Sequence, residues 1–480
     1  MMEKDYNDLW LNPKKPYSIA HRGASTYYLE NTLESFLFAN TLGADFWEVD
    51  IQITKDNQLI VFHDSCLPTG ENIVNLYFSE VRNKLPLNSA PLFEDVLNLA
   101  IKLNTGIYLD IKAKSAGENL LNILNKYNYP KIIIGSFNVQ LIKDLKAIGH
   151  SFPSSILIPP GFDPFKFGES AEIIHLCWEN IQEPEKLLDN EFFAKCKQKN
   201  KKIVLWHEEN PNRMKKLRNL PLLGICSNQP ELVNPMFKKN SNWPVKVVCH
   251  RGLNRYAPEN SIASTLLAFG CGFSHVEIDV RETKDKELVV LHDKTLNRTS
   301  NTSGEIYKVN FSSLKSIDLG KKYNSSFTNQ PLPLLKQILE IAALYDSCLY
   351  IEIKNAEVKQ VMRLVDSYQF FEKCLFWSED KTIMKDIINS NFKINYMLRR
   401  QDFDKLTDIT DNYNPQVIEY TINDDLNELQ IVKEKRIETM IAYMGVNKKI
   451  FEKIIKLRVD YVNIDQPIFF SKLYKQEFEL

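Results

Sequence analysis

The amino-acid sequence predicts an α/β protein that consists of two tandem (β/α)8 barrels of the TIM type. Three observations carry this prediction. The chain of 480 residues is long enough for two large barrel domains, it contains an internal repeat, and each copy alternates short apolar segments with longer stretches that can form helices. We expect the first barrel to span residues 1–235 and the second residues 245–480, with the boundary in the polar, proline-containing stretch at 231–246.

The repeat is carried by polar motifs at one constant separation. AHRG at position 20 returns as CHRG at 249, and FWEVDIQITKDNQLIVFHD, which ends at Asp64, returns as HVEIDVRETKDKELVVLHD, which ends at Asp293. Both pairs lie 229 positions apart, whereas YLDIK at 108 and YIEIK at 350 lie 242 apart, so the second copy carries 13 extra residues between these motifs. We interpret the chain as a tandem duplication.

Each copy contains eight candidate strands. In order, the first copy has YSIAHRG, FWEVDI, IYLDIK, KIIIGSF, SSILIP, EIIHLCW, KIVLWH and LLGICSN. The second has VKVVCHRG, HVEIDV, LYIEIK, KCLFWS, INYML, QVIEYT, TMIAYM and YVNID. Most of the gaps are long enough for a helix, such as LENTLESFLFANTLG after the first strand, and eight such β–α units indicate a (β/α)8 barrel.

The composition excludes several classes of protein. Lys and Arg number 60 against 61 Asp and Glu, so the overall basic excess typical of a nucleic-acid-binding protein is absent. We expect no transmembrane segment and no signal peptide, because there is no run of 18 apolar residues and the N-terminus lacks an apolar region. The eight cysteines are scattered without a C-x-x-C pair, which favours reduced thiols and a cytoplasmic location.

The repeated polar residues fall where the strands of each barrel should end, which is where barrel enzymes carry their chemistry. Each copy has a histidine ending strand one, two acidic residues at i and i+2 on strand two, and on strand three an acidic residue two positions before a lysine. In the first copy these are His21, Glu48, Asp50, Asp110 and Lys112. In the second they are His250, Glu277, Asp279, Glu352 and Lys354. The i, i+2 spacing places each pair on one face of its strand.

A second histidine in each copy should return to the same place through a hairpin. If the turn after EVDIQIT is centred between Asp56 and Asn57, His63 lies opposite Asp50. The equivalent turn in the second copy, centred between residues 285 and 286, places His292 opposite Asp279. The sequence therefore predicts two histidines beside three carboxylates in each barrel.

This combination of residues points to phosphodiester cleavage. Carboxylates ~4 Å apart repel by about 4 kcal/mol per pair at an effective dielectric constant near ~20, and either protonation or a divalent cation relieves this. Oxygen ligands favour Mg2+ or Ca2+ over zinc. The two histidines form a candidate acid–base pair, and Arg22, Arg251 and the two lysines offer positive charge for a phosphate.

Each feature also has an ordinary structural explanation. A histidine at a strand end is often structural, but four of the eight histidines stand at matched positions of the repeat, which favours a functional role. The arginines and lysines could instead be ion-pair partners of the carboxylates. Glu30-Asn31 and Glu259-Asn260 could belong to a helix N-cap. We interpret Trp206 as a core or rim residue and the remaining histidines, at 150, 175, 207 and 275, as structural or surface residues.

The ordered set of HRG, E-N-[TS], E-x-D, T-K-D followed by H-D, and [DE]-I-K resembles the glycerophosphodiester phosphodiesterase family, twice over nearly the whole chain. The resemblance implies phospholipase C-like barrels that hydrolyse deacylated phospholipids, such as glycerophosphocholine, to sn-glycerol 3-phosphate and an alcohol. It implies that the histidines act as general acid and base, that the three acidic residues bind a divalent metal, and that the arginine and lysine hold phosphate. The implied residues are His21, Arg22, Glu48, Asp50, His63, Asp110 and Lys112 in the first barrel, and His250, Arg251, Glu277, Asp279, His292, Glu352 and Lys354 in the second.

The chain departs from the family pattern in both copies. The first copy has Asp110 where the family usually has glutamate, reads LEN instead of PEN, and lacks the 13 extra residues; the second keeps the loop LNRTSNTSG at 296–304. The second copy has Ser378-Glu379 where the first has the family's Ser-Phe. The W-T-V segment of strand seven reads WHE and AYM, and the closing T-D-x-P reads SNQP at 227–230 and IDQP at 464–467.

Both copies keep the acid–base pair, so we expect both barrels to be active on a small-molecule glycerophosphodiester. Two alternatives remain open at this point. The first barrel could be a non-catalytic scaffold or sensor beside an active second barrel, or the chain could be a related barrel phospholipase that acts on intact lipid. The sequence leaves open whether water or a neighbouring glycerol hydroxyl attacks the phosphorus, and leaves the oligomeric state unknown.

Overall fold

The structure, a computed structural model, describes residues 11–178 and 183–478. Contacts within the chain divide it into two compact units, with the division between Asn234 and Pro235. Each unit is a closed parallel barrel, so the prediction of two tandem (β/α)8 barrels is confirmed. No helix among the described residues is both long enough and apolar enough to cross a membrane.

The first barrel has eight parallel strands and one short antiparallel strand. In chain order the strands are β1 (Tyr17–Ala20), β2 (Phe46–Ile53), β3 (Leu59–Val61), β4 (Gly106–Ile111), β5 (Ile132–Ser136), β6 (Ser154–Ile158), β7 (Ile173–Cys177), β8 (Lys202–Trp206) and β9 (Gly224–Ser227). Strand β1 pairs with both β9 and β2, which closes the barrel. Strand β3 forms an antiparallel pair with the carboxyl-terminal end of β2. These strands include all eight that the sequence predicted for this copy.

The second barrel repeats this topology. Its strands are β10 (Lys246–Cys249), β11 (His275–Glu282), β12 (Leu288–Val290), β13 (Cys348–Ile353), β14 (Cys374–Trp377), β15 (Asn395–Arg399), β16 (Val417–Thr421), β17 (Glu438–Tyr443) and β18 (Tyr461–Ile464). Strand β10 pairs with β18 and β11, and β12 is the antiparallel counterpart of β3. All eight predicted strands of the second copy are therefore present as well.

Helices follow most strands and cover the outside of each barrel. Those of the first barrel are α1 (Leu33–Thr41), α2 (Phe78–Lys84), α3 (Phe93–Leu103), α4 (Gly117–Tyr127), α5 (Val139–Ile148), α6 (Pro164–Phe167), α7 (Asn190–Gln198) and α8 (Pro211–Leu217). Those of the second are α9 (Ile262–Gly270), α10 (Gly320–Tyr323), α11 (Leu335–Leu344), α12 (Val358–Ser367), α13 (Lys381–Ile388), α14 (Leu406–Thr410), α15 (Glu428–Glu434), α16 (Lys448–Leu457) and α17 (Pro467–Phe478). The 13 extra residues lie between β12 and α11, because the separation of matched positions changes there from 229 to 242.

The interior of the first barrel is packed with apolar side chains below the strand ends. Its cluster consists of Ile19, Phe46, Tyr108, Ile133, Ile173, Val204, Leu223 and Cys226, all buried. Apolar side chains also flank the strands on the outside, so β2 and β4 are buried along their whole length. This packing leaves the open end of the barrel, at the carboxyl ends of the strands, as the place where polar side chains can gather.

The predicted register of the two hairpins is wrong by one residue. Strands β2 and β3 pair Ile51 with Val61, so Phe62, and not His63, lies opposite Asp50. The loop has three residues between the hydrogen-bonded Thr54 and Gln58, with Asn57 at a left-handed φ of 62°, and it is therefore centred on Asp56. The second hairpin shows the same shift, with Val280 opposite Val290 and Lys286 left-handed.

The H-R-G turn after the first strand requires glycine at its third position. Gly23 has a φ of +85°, and a Cβ there would lie 2.8 Å from the backbone carbon of Ser35. Gly70, in the same barrel, has a φ of +88° with nothing within 4 Å of an added Cβ. The two positions therefore carry the same backbone strain but differ in steric contact.

We expect Gly23→Ala to destabilise the first barrel more than Gly70→Ala does. Both variants carry the cost of a left-handed alanine, about 1–2 kcal/mol. Gly23→Ala adds overpacking against Ser35, worth about 1–3 kcal/mol more. Urea unfolding followed by circular dichroism measures the difference. Equal midpoints for the two variants would show that the turn is not packed as described.

Candidate active site

The predicted site residues of each barrel come together at the carboxyl ends of the first three barrel strands, here called the mouth. His21 and Arg22 follow β1, Glu48 and Asp50 lie on β2, and Asp110 lies on β4. The residue pairs Asp50–Asp110 and Asp279–Glu352 are direct neighbours in the two sheets. Each mouth is therefore built from the same three strands.

Three buried carboxylates meet in each mouth. Glu48, Asp50 and Asp110 present oxygens that lie within 4.8 Å of one another, and so do Glu277, Asp279 and Glu352. Asn31 donates from Nδ2 to Oδ2 of Asp50 at 2.7 Å, and Asn260 does the same to Asp279 at 2.8 Å. The asparagine of the E-N motif thus orients one carboxylate of each group.

Oxygens of these groups have unused capacity for a ligand. Oδ1 of Asp110 is buried and accepts no hydrogen bond. Oδ1 of Asp279 is also buried and has Nζ of Lys354 beside it at 3.4 Å. Buried carboxylate oxygens without donors are costly unless a cation balances them. The donor set consists of oxygen atoms only, which suits a hard divalent cation. Asp110 takes part in its group although it is shorter than Glu352.

The predicted phosphate-binding residues pair with the carboxylates in this structure. Nε of Arg22 lies 3.2 Å from Oδ2 of Asp50, and Nζ of Lys112 lies 2.5 Å from Asp110 and 3.0 Å from Asp50. In the second barrel, Arg251 lies 3.3 Å from Asp279 and Lys354 lies 2.5 Å from Glu352. These cations offset part of the repulsion between the three acids.

The pKa shifts follow the same pattern in both mouths. Burial, and then repulsion by the neighbouring Asp50 or Asp279, raises the pKa values of Glu48 and Glu277 well above their ordinary range. Burial also acts to raise the pKa values of Asp50 and Asp279, but the adjacent lysine and arginine outweigh it and lower them. One glutamate of each group is therefore the carboxyl most disposed to hold a proton when no other cation is present.

Glu352 provides a test of this electrostatic strain. Burial, followed by the charge of Asp279, raises its pKa from 4.5 to about 7. Its contribution to the stability of the metal-free second barrel is fully present below about pH 4.5 and is lost as the pH rises towards about 7, because the unfolded chain gives up its proton first.

We therefore expect wild type to lose stability relative to Glu352→Gln across that interval, since glutamine does not titrate. Urea unfolding in EDTA, repeated at several pH values between about 4.5 and about 8, measures the difference. A difference that stays constant with pH would contradict the raised pKa.

The predicted histidine pairs lie beside the acids. Nε2 of His21 is 4.0 Å from Glu48, and Nε2 of His250 is 3.9 Å from Glu277. His63 and His292 each contact the next residue, with Nδ1 at 2.7 Å from Asp64 and Asp293 respectively. Despite the register shift, the residue before each of these histidines donates to the backbone oxygen of the mouth aspartate, Phe62 to Asp50 and Leu291 to Asp279, so the hairpins bring His63 and His292 next to the mouth.

Four further residues contact the first histidines and were not predicted to do so. Nδ1 of His250 bonds Oδ1 of Asp465 at 2.7 Å, and Nδ1 of His21 bonds Oδ1 of Asn228 at 2.7 Å. The indole of Trp206 donates to Nε2 of His21 at 2.8 Å, and the ring of His207 stacks on His21 at 5.1 Å. The signal was present in the sequence, because these residues stand in the W-T-V and T-D-x-P positions. The interpretation of Trp206 as a core or rim residue and of His207 as a structural or surface residue did not include a contact with His21.

The loop that is specific to the second copy anchors its second histidine. Arg298 donates to Asp293, the partner of His292, at 2.8 Å and 3.0 Å, and to Glu259 at 2.6 Å and 2.7 Å. Leu296, two residues before this arginine, is buried in an apolar cluster. The 296–304 loop therefore contributes the arginine of an ion-pair network that includes Asp293, the partner of His292.

Comparison with known proteins places these barrels in a family. The profile of the glycerophosphoryl diester phosphodiesterase family matches residues 21–232 and again residues 250–448. A glycerophosphodiester phosphodiesterase of Caldanaerobacter subterraneus is 31% identical over 147 residues, which are 29% of this chain and 60% of that protein. One from Bacillus altitudinis is 34% identical over 112 residues, 23% of this chain and 46% of that protein.

One solved structure is similar to this chain over about the length of one barrel. The crystal structure of a glycerophosphodiester phosphodiesterase from Agrobacterium tumefaciens matches 48% of this chain and 99% of its own length, with 27% identity and a TM-score of 0.45. The fold and the mouth define a (β/α)8-barrel protein with an acidic site at the carboxyl ends of its strands. The chain belongs to the glycerophosphoryl diester phosphodiesterase family, which its sequence matches twice. It spans 60% and 46% of the length of the two curated relatives above.

Proposed function

We propose that this protein is a metal-dependent phosphodiesterase that hydrolyses glycerophosphodiesters, such as glycerophosphocholine, to sn-glycerol 3-phosphate and an alcohol. One observation carries the proposal. Each barrel gathers three carboxylates within 4.8 Å of one another at its mouth, beside two histidines, an arginine and a lysine. The family to which the chain belongs supports the same reaction.

The carboxylates fit a divalent cation, Mg2+ or Ca2+. Glu48, Asp50 and Asp110 would hold it in the first barrel, and Glu277, Asp279 and Glu352 in the second. When bound, such an ion supplies positive charge that stabilises a phosphoryl oxygen as negative charge develops on it. The grouping of three buried carboxylates in each mouth, with an oxygen of Asp110 that accepts no hydrogen bond, is the observation that supports this assignment.

The cations of the mouth are suited to hold the phosphate. Arg22 and Lys112 pair with Asp50 and Asp110 here, and a metal ion that neutralised the acids would leave both side chains available to a phosphate oxygen. Arg251 and Lys354 stand in the same relation to Asp279 and Glu352. Their charges orient the diester so that its phosphorus faces the histidines.

The two histidines of each mouth are suited to move the protons. One P–O bond forms to the attacking oxygen, and the P–O bond to the alcohol breaks. One histidine takes the proton of the attacking group, and the other gives a proton to the departing alkoxide, so the charge balances. His21 with His63, and His250 with His292, are the residues to which we assign these steps.

A comparison of substrates tests the proposal. Wild type is expected to release glycerol 3-phosphate from glycerophosphocholine with Mg2+ or Ca2+, to lose the activity in EDTA, and to leave phosphatidylcholine vesicles intact. Release of a product from the vesicles, without turnover of glycerophosphocholine, would instead indicate a phospholipase. A chain that cleaves neither substrate with any divalent metal would contradict the proposed function.

A further inference from the structure

The two barrels differ in the residue that accepts a hydrogen bond from their first histidine. Asp465 directly follows β18, and Asn228 directly follows β9, so the two residues occupy the same place in their barrels. Both accept from Nδ1 of the histidine at 2.7 Å. Because each partner is an acceptor, Nδ1 carries the proton in both mouths, and the unprotonated Nε2 lies 4.0 Å from Glu48 or 3.9 Å from Glu277. In the first mouth Nε2 also accepts from the indole of Trp206. The histidine orientation is shared, whereas the charge of its partner is not.

The oxygen of Asn228 is fixed in its accepting role by a second contact. Ser25 donates from Oγ to Oδ1 of Asn228 at 2.8 Å, the same atom that contacts His21. The amide therefore holds the ring in position as the carboxylate does. It offers no negative charge to the positive charge that develops on the imidazole when Nε2 takes up a proton in the reaction.

Asp465 is held by two further donors. Nδ2 of Asn254 lies 2.6 Å from Oδ1, and Arg255 lies 2.9 Å from Oδ2. A carboxylate that is fixed before the reaction begins does not have to reorganise while it stabilises the imidazolium. Hydrogen bonds with one ionised partner are also about twice as strong as neutral ones.

The contacts that hold the second histidine also differ between the barrels. Asp293 binds both His292 and Arg298, and Arg298 is tied to Glu259. In the first barrel His63 contacts Asp64, whose side chain is 70% exposed, and the described residues there include no arginine paired with it. His292 is therefore fixed more firmly in the second mouth than His63 is in the first.

We propose that the second barrel is the faster of two unequal sites, and that Asp465 is the positioning residue responsible, with Asn228 limiting the first barrel. The proposal rests on the proposed function. It assigns the difference to the partner of Nδ1, so exchanging aspartate and asparagine between the barrels should move the rate in opposite directions.

Chains with a single working barrel test this directly. His21→Ala/His63→Ala leaves only the second barrel, and His250→Ala/His292→Ala leaves only the first. With glycerophosphocholine and Mg2+ or Ca2+, kcat of the second barrel is expected to exceed that of the first by at least about tenfold. Asp465→Asn in the second-barrel chain should lower kcat by about 10–100-fold with KM nearly unchanged, and Asn228→Asp in the first-barrel chain should raise kcat by about tenfold.

The control is Asp346→Asn, which removes a charge from an exposed turn before β13, at the opposite end of the second barrel. It should leave kcat of the second-barrel chain unchanged. A gain of activity in Asn228→Asp cannot arise from damage to the fold, which is why this variant is decisive. Equal rates in the two single-barrel chains, or no gain in Asn228→Asp, would overturn the proposal. Absence of turnover in wild type would instead refute the proposed function, and the proposal with it.

Discussion

The double variant His21→Ala/His250→Ala is expected to retain about one hundredth or less of the wild-type activity on glycerophosphocholine. Each substitution removes a proton-transfer group that faces the acids at 4.0 Å or 3.9 Å, and a positioned acid or base contributes about 10²–10⁴ in rate. The loss should appear in kcat, since neither histidine is assigned to phosphate binding. Release of glycerol 3-phosphate measures it.

The single variants separate the two barrels. Each should keep the activity of the untouched barrel, and His250→Ala should lose the larger part. His150→Ala is the matched control, because His150 follows α5 and lies away from the carboxyl ends of the strands. A double variant that retained a tenth or more of the activity would contradict the assignment of these histidines.

The second large effect concerns Glu277, whose removal should stabilise the metal-free second barrel and strongly reduce the stabilisation of that barrel by metal. Burial and the charge of Asp279 raise the pKa of Glu277, so above its ordinary pKa the metal-free fold is strained, either by the buried charge or by the proton that must be taken up to neutralise it. Glu277→Gln removes that strain, and the thermal midpoint of the second barrel in EDTA should rise.

The same substitution removes a metal ligand. At a metal concentration of about 100 times Kd, binding stabilises the folded state by about 2.7 kcal/mol, and a 100-fold weaker site leaves about 0.4 kcal/mol. Thermal unfolding with and without Mg2+ or Ca2+ therefore distinguishes the variant from wild type. The control is Glu452→Gln on the exposed side of α16, which should leave both midpoints unchanged. A Glu277→Gln protein that still gained full stability from metal would show that this carboxylate is not a ligand.

Much of the fold was predictable because barrel strands leave strong local signals. Parallel strands covered on both faces form short apolar runs. Because the sequence repeats, a strand predicted in one copy could be checked at the matching position of the other. The grouping of Glu48, Asp50 and Asp110 also followed, since i, i+2 spacing and the shared strand ends fix where these side chains lie.

The parts that failed depend on interactions that spacing does not encode. The hairpin register was set by a three-residue loop with Asn57 in a left-handed conformation, and a two-residue turn gives a different pairing. The contacts of Asp465 and Trp206 join the last strands of a barrel to its first, across nearly the whole length of each copy. Only closure of the barrel brings these residues to the histidines.

The most direct test of the account is the fate of the phosphorus atom, followed by 31P NMR. Wild type with glycerophosphocholine and Mg2+ or Ca2+ should convert the diester signal into that of glycerol 3-phosphate, and EDTA should stop the conversion. A diester signal that persisted with every divalent metal, or a product identified as phosphocholine, would contradict the account.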